Sequence, residues 1–168
     1  MPLMRSVRVL MKRLLILFIL LGSVYSAYAK DFRALNFGEP CQDLDQYEMN
    51  VGSILGKDYT GYHYNFGNVL FDRSVIITYL CDTENKFKRG TLRYVFESTE
   101  SAKEYFETIS PQLSYKYGDP LVTEDEGEHF GMRAFWRNQN SSILLSVIES
   151  HSDDGKTYVG INFLPAQN

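Results

Sequence analysis

The sequence is poor in the residues and motifs from which catalytic and metal sites are most often built. Its 168 residues include two cysteines, three histidines and one tryptophan. It contains no H-E-x-x-H zinc motif, no G-x-S-x-G or S-x-x-K nucleophile motif, and no G-x-x-x-x-G-K-S/T or G-x-G-x-x-G phosphate loop. The sequence therefore predicts no metal, no cofactor and no catalytic site of these classes.

Long apolar runs are absent beyond the first 29 residues, which have the features of a secretory signal peptide. This segment has a basic start, an unbroken apolar run from Leu14 to Leu21, and the cleavage pattern Ala27-Tyr28-Ala29. The run is shorter than the ~20 residues that span a bilayer as a helix, and Cys41 lies too far downstream to carry a lipid at the cleavage point. We expect an exported protein, periplasmic or secreted, without a transmembrane helix in its mature chain of residues 30–168. Translation from Met11 would give a shorter leader.

The mature chain has no excess of basic residues. The leader holds four of the 17 Lys and Arg residues and none of the 21 Asp and Glu residues, which leaves a mature net charge of −8. A negative chain disfavours broad binding to nucleic acid or to anionic lipid, because both require cations that displace counterions. Lys86, Lys88 and Arg89 form a local exception. We expect no nucleic-acid partner and a single domain, since 139 residues is a typical domain size.

The two cysteines, Cys41 and Cys81, both belong to the mature chain and allow one intrachain pairing. An exported protein meets an oxidising compartment, which favours a disulfide. The C-x-x-C spacing typical of a redox-active pair is absent. We expect a structural bridge that holds the N-terminal segment against the strand containing Cys81. Closing a loop of this length stabilises a fold by about 4 kcal/mol in the chain-entropy account.

Alternating apolar and polar residues predict six strands in two groups of three. The first group is the strand around Tyr62, Tyr64 and Phe66, followed by Val75–Asp82 and Phe87–Phe96. The second group is Met132–Arg137, Ser142–Glu149 and Thr157–Leu164. A short helix over Asp43–Val51 precedes the first group, and the main helix separates the two. The order α-βββ-α-βββ favours an α+β fold with antiparallel sheets and the main helix packed on one face.

The main helix is predicted from Ser98 to Pro120, because a serine N-cap begins this stretch and Gly-Asp-Pro ends it. Its apolar stripe consists of Ala102, Phe106, Ile109 and Leu113. Pro111 leaves two interpretations open. Either one helix continues with a kink that costs roughly 3 kcal/mol, or the helix breaks and a second short helix spans Pro111–Tyr117.

The two strand groups are accompanied by a short internal similarity between Phe37-Gly38-Glu39-Pro40 and Tyr117-Gly118-Asp119-Pro120. Two αβββ groups resemble in layout the beta-lactamase inhibitor protein and the small outer-membrane assembly lipoproteins, which use related helix-plus-sheet units. The resemblance concerns layout alone and assigns no residue a role.

Tyrosine is abundant, with 12 copies in the chain. Its side chain offers a large, stiff contact area with a polar tip, which is typical of recognition surfaces. The most aromatic window gives a candidate binding patch of Tyr59, Tyr62, His63 and Tyr64. The alternative is that the tyrosines of this strand pack in the core.

The sequence is compatible with two functional hypotheses. The first is an exported, non-catalytic binding or accessory domain of the bacterial cell envelope, whose partner is another envelope protein or a small ligand. The second is a small periplasmic, hydrolase-like enzyme whose acid and base meet only in the fold, for example Glu149 or Asp72 with a histidine. A concave pocket holding two titratable groups within hydrogen-bond reach would favour the enzyme, and an aromatic face without such a pair would favour binding.

Overall fold

The computed structural model describes residues 30–42, 44–48, 54–58, 60–124, 132–149 and 155–166. The chain divides into two compact units, Met1–Lys30 and Asp31–Asn168, and every helix and strand given below belongs to the second unit. The predicted leader lies outside the described residues. None of the described helices is long and apolar enough to cross a membrane.

The described residues form two helices and eight strands. The helices are α1 (Leu44–Tyr47) and α2 (Thr99–Tyr117). The strands are β1 (Ile54–Asp58), β2 (Gly61–Leu70), β3 (Arg73–Cys81), β4 (Phe87–Phe96), β5 (Val122–Glu124), β6 (Met132–Arg137), β7 (Ser141–Glu149) and β8 (Thr157–Pro165). The predicted α+β class with antiparallel pairing is confirmed, but each strand group has four members instead of three.

The two strands that the pattern missed are the outermost strands of the sheet. The order is β1-β2-β3-β4-β8-β7-β6-β5, and every neighbouring pair is antiparallel. β1 has the sequence I-L-G-K-D, which does not alternate, and β5 has only V-T-E, which is too short for alternation to predict a strand. Each forms because a longer neighbour, β2 or β6, offers unpaired backbone groups along its edge.

The two strand groups join through β4 and β8 into one sheet with a continuous apolar face, here called the core face. One row across this face consists of Phe66, Ile77, Leu92, Ile161, Leu145 and Ala134, each opposite the next in the register. All six side chains are buried. Because side chains alternate along a strand, the residues on either side of this row point to the opposite face.

Two different segments cover the core face. Helix α2 packs on β4, β6, β7 and β8. Its buried residues are Ala102, Tyr105, Phe106, Ile109 and Leu113. The N-terminal segment covers the other half, where the Phe32 ring lies 5.0 Å from the Tyr79 ring and 5.1 Å from the Phe163 ring. Phe32 lies directly on the backbone of Gly90, where an added Cβ would be 2.3 Å from the ring.

Helix α2 is unbroken across Pro111. Ser98 caps its first turn by accepting from the amide of Ser101, and Gly118 ends it with a positive φ of 85°. The proline interrupts the hydrogen-bond ladder on the exposed side of the helix, while Ile109 and Leu113 are buried against the sheet on either side of it. Packing of these two side chains holds the helix together where propensity alone would allow a break.

A disulfide between Cys41 and Cys81 ties the N-terminal segment to the end of β3, as predicted. Both cysteines are fully buried, and their Cα atoms are 6.5 Å apart. Backbone hydrogen bonds from Cys41 N–H to Asn85 and from Phe87 N–H to Glu39, each of 2.8 Å, hold the same segment to the β3–β4 turn. Of the predicted first helix over Asp43–Val51, the structure forms α1 over Leu44–Tyr47, and residues 43 and 49–51 lie outside the described residues.

Candidate functional site

The face of the sheet opposite α2 carries the side chains that the core does not use. We call the outward side of β4, β6, β7 and β8 the open face. Its residues are Arg89, Thr91, Arg93 and Val95 on β4, Arg133, Phe135 and Arg137 on β6, Ser142, Leu144, Ser146 and Ile148 on β7, and Tyr158, Gly160, Asn162 and Leu164 on β8. No described helix packs on this face, because α2 and the N-terminal segment both lie on the core face.

The middle of the open face is polar and ordered by hydrogen bonds. One row across the whole sheet reads Asn65, Thr78, Thr91, Asn162, Leu144, Phe135 and Val122. The Thr78 hydroxyl donates to Asn65 at 2.7 Å, and the Thr91 hydroxyl donates to Asn162 at 3.0 Å. These cross-strand bonds fix half-buried side chains in one arrangement, so the surface is preformed.

Arginines define the corners of the open face. Arg89 and Arg93 lie four residues apart on β4, and Arg133 and Arg137 lie four residues apart on β6, so each pair shares one face. In the register, Arg93 lies opposite Gly160, then Ser146, then Arg133. The spacing across three strand steps is therefore ~14 Å, and the spacing along each strand is ~13 Å.

Two of these arginines lie over aromatic rings. The guanidinium carbon of Arg93 is 5.5 Å from the Tyr158 ring, and that of Arg137 is 5.9 Å from the Phe135 ring. Stacking on a ring face leaves the edge N–H groups of a guanidinium available to acceptors above the sheet. Both arginines are exposed. The open face therefore presents fixed, forked hydrogen-bond donors.

Acidic residues are almost absent from the same strands. Within β4, β6, β7 and β8 the only Asp or Glu is Glu149. It lies opposite Thr157 at the end of β7 and accepts a hydrogen bond from Thr99 of α2 at 3.2 Å, on the helix side of the sheet. The open face is thus basic, although the whole chain carries a net charge of −4 and Glu124 of the adjoining strand β5 lies opposite Arg133 in the register.

Small residues lie at the centre of the open face. Gly160 and Ser146 are adjacent in the register and both are buried, with Ser146 only 1% exposed. The Ser146 hydroxyl has no hydrogen-bond partner among the described residues. Larger side chains, among them Ile148 and Asn162, surround the two. This gives the face a shallow centre between its arginine corners.

The predicted tyrosine patch is divided between the two sides of the sheet. Tyr62 and Tyr64 point to the core face, where they are half-buried and pack against the core, and the Tyr64 hydroxyl donates to Asn85 at 3.1 Å. His63 lies between these two tyrosines on β2, so its side chain points to the opposite face of the sheet. Tyr59 lies outside the described residues. The structure therefore does not bring the described members of the patch together on one surface.

His63 contacts Asp58 across the β1–β2 turn, with 3.0 Å between Nε2 and Oδ2. The Asp58 carboxylate accepts from the Thr60 hydroxyl and amide at 2.5 and 2.7 Å. These bonds, with a smaller contribution from His63, lower the pKa of Asp58. The Thr60 hydroxyl and the His63 imidazole both contact the Asp58 carboxylate, and these contacts shape the β1–β2 turn.

The carboxylates named for the enzyme hypothesis lie far from His63. Asp72 is in the β2–β3 turn, at the opposite end of β2 from His63 and ~23 Å along the strand. Glu149 is on β7, four strand steps or ~19 Å from β2. His129 and His151 lie outside the described residues.

A buried ionic network that the sequence did not predict holds the N-terminal segment. The Glu48 carboxylate accepts from Arg33 Nε at 2.7 Å, from Arg33 Nη2 at 2.8 Å and from the Tyr79 hydroxyl at 2.5 Å. Burial, and then this hydrogen bond to Glu48, raise the pKa of Tyr79. Both oxygens of Glu48 are used in this network, which ties the N-terminal segment to β3.

Among the described residues, no group of three or more His, Cys, Asp or Glu side chains could hold a metal ion. No known family, no curated protein and no solved structure matches this chain.

Proposed function

We propose that the chain is an exported, non-catalytic binding or accessory domain of the bacterial cell envelope. The observation that carries the proposal is the open face, a preformed sheet surface with arginines stacked on aromatic rings. Arginine and aromatic residues are enriched at the centres of protein interfaces, where they supply much of the binding energy.

Export is supported by the buried disulfide between Cys41 and Cys81. Such bridges persist in oxidising compartments and are rare in the cytosol. A signal peptide over residues 1–29 is part of the same proposal.

A non-catalytic role is supported by what the described titratable groups do. Asp58 shapes a turn with Thr60, and Glu48 holds Arg33. Lys88 pairs with Asp82 at 3.1 Å. Each of these contacts is explained by its role in stabilising a turn or holding a segment of the fold.

The proposal is tested by purifying the tagged full chain, expressed with its own leader in its native cells, from a crosslinked envelope fraction. We expect one protein to co-purify in near-stoichiometric amount. Tyr158→Ala, on the open face, should deplete that protein at least tenfold. Tyr115→Ala, which removes a side chain 96% exposed on α2, is the matched control and should not.

Two results would overturn the proposal. One is the absence of any enriched partner. The other is turnover of chromogenic esters, phosphate esters or glycosides by the purified mature chain that is lost in His63→Ala, which would support the hydrolase-like enzyme.

A further inference from the structure

We infer that the open face binds an acidic protein surface, whose carboxylates pair with Arg89, Arg93 and Arg137. This inference rests on the proposed function and names both the surface and the chemistry of the partner. It is argued from the distribution of charge, the form of the arginines and the size of the face.

The charge distribution is the first reason. The mature chain carries a net charge of −8, yet the only acidic residue of β4, β6, β7 and β8 points to the helix side. A basic face on an acidic protein attracts an acidic partner and repels basic surfaces. Lys86 and Lys88 do not add to this face, because they pair with Glu84 at 2.7 Å and with Asp82 at 3.1 Å.

The form of the cations is the second reason. Every corner of the open face is an arginine, and two of the guanidinium groups are oriented by the rings of Tyr158 and Phe135. A planar guanidinium that is already oriented can bind a carboxylate through two parallel hydrogen bonds. A guanidinium fork binds phosphate and sulfate in the same way, so the choice of a protein carboxylate depends on the apolar side chains between the arginines.

The apolar side chains between the arginines favour a protein over a polyanion. Leu144, Ile148 and Leu164 are half-buried on the open face, and Val95 is 41% exposed. Polysaccharide sulfates and lipid headgroups offer nothing apolar to cover them, whereas a protein surface offers both carboxylates and apolar groups.

The size of the open face suits the central part of a specific interface. Four strands spaced ~4.8 Å apart, with about six residues of ~3.3 Å each, make a surface of roughly 400 Å². One partner of a standard interface buries about 800 Å². The open face therefore supplies about half of one side of such an interface, and the outward side of β2 and β3 continues the same rows.

The experiment uses site-specific photocrosslinking in native cells that express the full chain. A photoreactive amino acid replaces Leu164 or Leu144 on the open face, or Tyr115 on α2 as the control. We expect a protein adduct from the two open-face positions and none from Tyr115. Mass spectrometry of the adduct identifies the partner and should place the crosslink within a patch rich in Asp and Glu.

The identified partner is then purified and its affinity measured by calorimetry. We expect R93E/R137E to weaken binding at least 100-fold and R93K/R137K about 10-fold, because lysine keeps the charge and loses the fork. Lys103→Glu, a charge reversal on α2, should change the Kd less than twofold. Reversing the crosslinked acidic residue of the partner should restore binding to R93E/R137E. A melting temperature near that of the wild type confirms that the variants fold.

The outcomes separate this inference from the proposed function. An adduct from Tyr115 alone, or a neutral or basic partner patch, would overturn the inference and leave the binding function standing. Adducts to polysaccharide, to lipid or to a second copy of this chain would also overturn it. No adduct from any position would count against both.

Discussion

The network of Arg33, Glu48 and Tyr79 makes a quantitative prediction about how the N-terminal segment is held. The Glu48 side chain is only 2% exposed and accepts two hydrogen bonds from Arg33. Replacing Arg33 by Met removes both donors and leaves a buried carboxylate with one hydroxyl. Arg33 also has a positive φ of 43°, which methionine at this position would have to adopt as well.

The expected loss of stability is large. Removing one partner of a buried ion pair costs about 3–5 kcal/mol. Because the Arg33 side chain is 29% exposed, water can partly solvate the remaining charge, so we expect the lower end, about 3 kcal/mol. Tyr79→Phe removes one hydrogen bond to a charged acceptor and should cost about 2 kcal/mol. Replacing both Arg33 and Glu48 by Met should cost less than Arg33→Met alone, because no buried charge remains.

Urea unfolding at pH 7 of the disulfide-bonded protein measures these free energies, and an unchanged m-value confirms that the same transition is compared. The matched control is Lys86→Met, which breaks a pair with Glu84 of the same 2.7 Å length but with both side chains about half exposed or more. Because solvent screens that pair, its loss should change the free energy of unfolding far less than Arg33→Met does. Amide exchange at Glu48, whose N–H donates to Leu44 at 2.9 Å, reports local detachment of the segment.

The same network predicts a pH dependence. The pKa of Tyr79 is raised above its ordinary value of 10.0 by burial and by donation to Glu48. The folded chain therefore keeps this proton above pH 10, where the unfolded chain loses it. Stability is fully present below pH 10 and falls as the pH rises, by about 1.4 kcal/mol per pH unit for each such tyrosine. The pKa values of Tyr94 and Tyr105 are also raised, chiefly by burial, so Tyr79→Phe should remove only part of the slope.

The reasoning would be refuted if Arg33→Met cost less than about 1 kcal/mol with no faster exchange at Glu48, because that is the magnitude of a solvent-screened surface pair. It would also fail if Tyr79→Phe left the alkaline slope unchanged.

Three further predictions concern the disulfide, the packing under the N-terminal segment and the β2–β3 turn. Replacing both cysteines by serine should lower the free energy of unfolding by about 4 kcal/mol, and a change below 1 kcal/mol in urea unfolding would contradict this. Gly90→Ala should destabilise by about 1–3 kcal/mol through overpacking, whereas Gly160→Ala, whose Cβ would have no contact closer than 3.7 Å, should have little effect on thermal melting. Phe71 and Asp72 form a two-residue hairpin turn with φ values of 53° and 59°, so the double change to Asn-Gly should stabilise by about 1 kcal/mol and raise the urea midpoint at constant m.

Much of the fold could be predicted because its signals are local. Phe87–Phe96 matches β4 residue for residue, since the alternation of Leu92, Tyr94 and Phe96 with their polar neighbours indicates a strand that runs directly into the helix. Ser98 and Gly118 bound α2 because capping depends on neighbouring amides and carbonyls. Alternation also places Tyr62 and His63 on opposite faces of the sheet. The predicted patch grouped these two neighbours without taking this alternation into account.

The open face could not be predicted in full because it depends on strand order. Arg93 and Arg133 share a row only because β4 pairs with β8, which joins the two strand groups. One signal was present in the sequence: β4 and β6 both contain R-x-x-x-R, and a spacing of four places both arginines on one face of a strand. The Arg33 network carried no such signal, because the N-terminal segment is irregular and has no periodicity.

Three exceptions to local stability rules lie in the β2–β3 turn and on the outward side of the sheet. Phe71 combines a left-handed backbone with a side chain that is 52% exposed, at a position where Asn or Gly would be less strained. Val69 and Val95, on the outward side of β2 and β4, are 64% and 41% exposed. Natural sequences break local rules mainly where function requires it. A strained apolar hairpin turn and two exposed valines are features that the stability of the fold does not require, which agrees with the proposed binding role of the uncovered sheet surface.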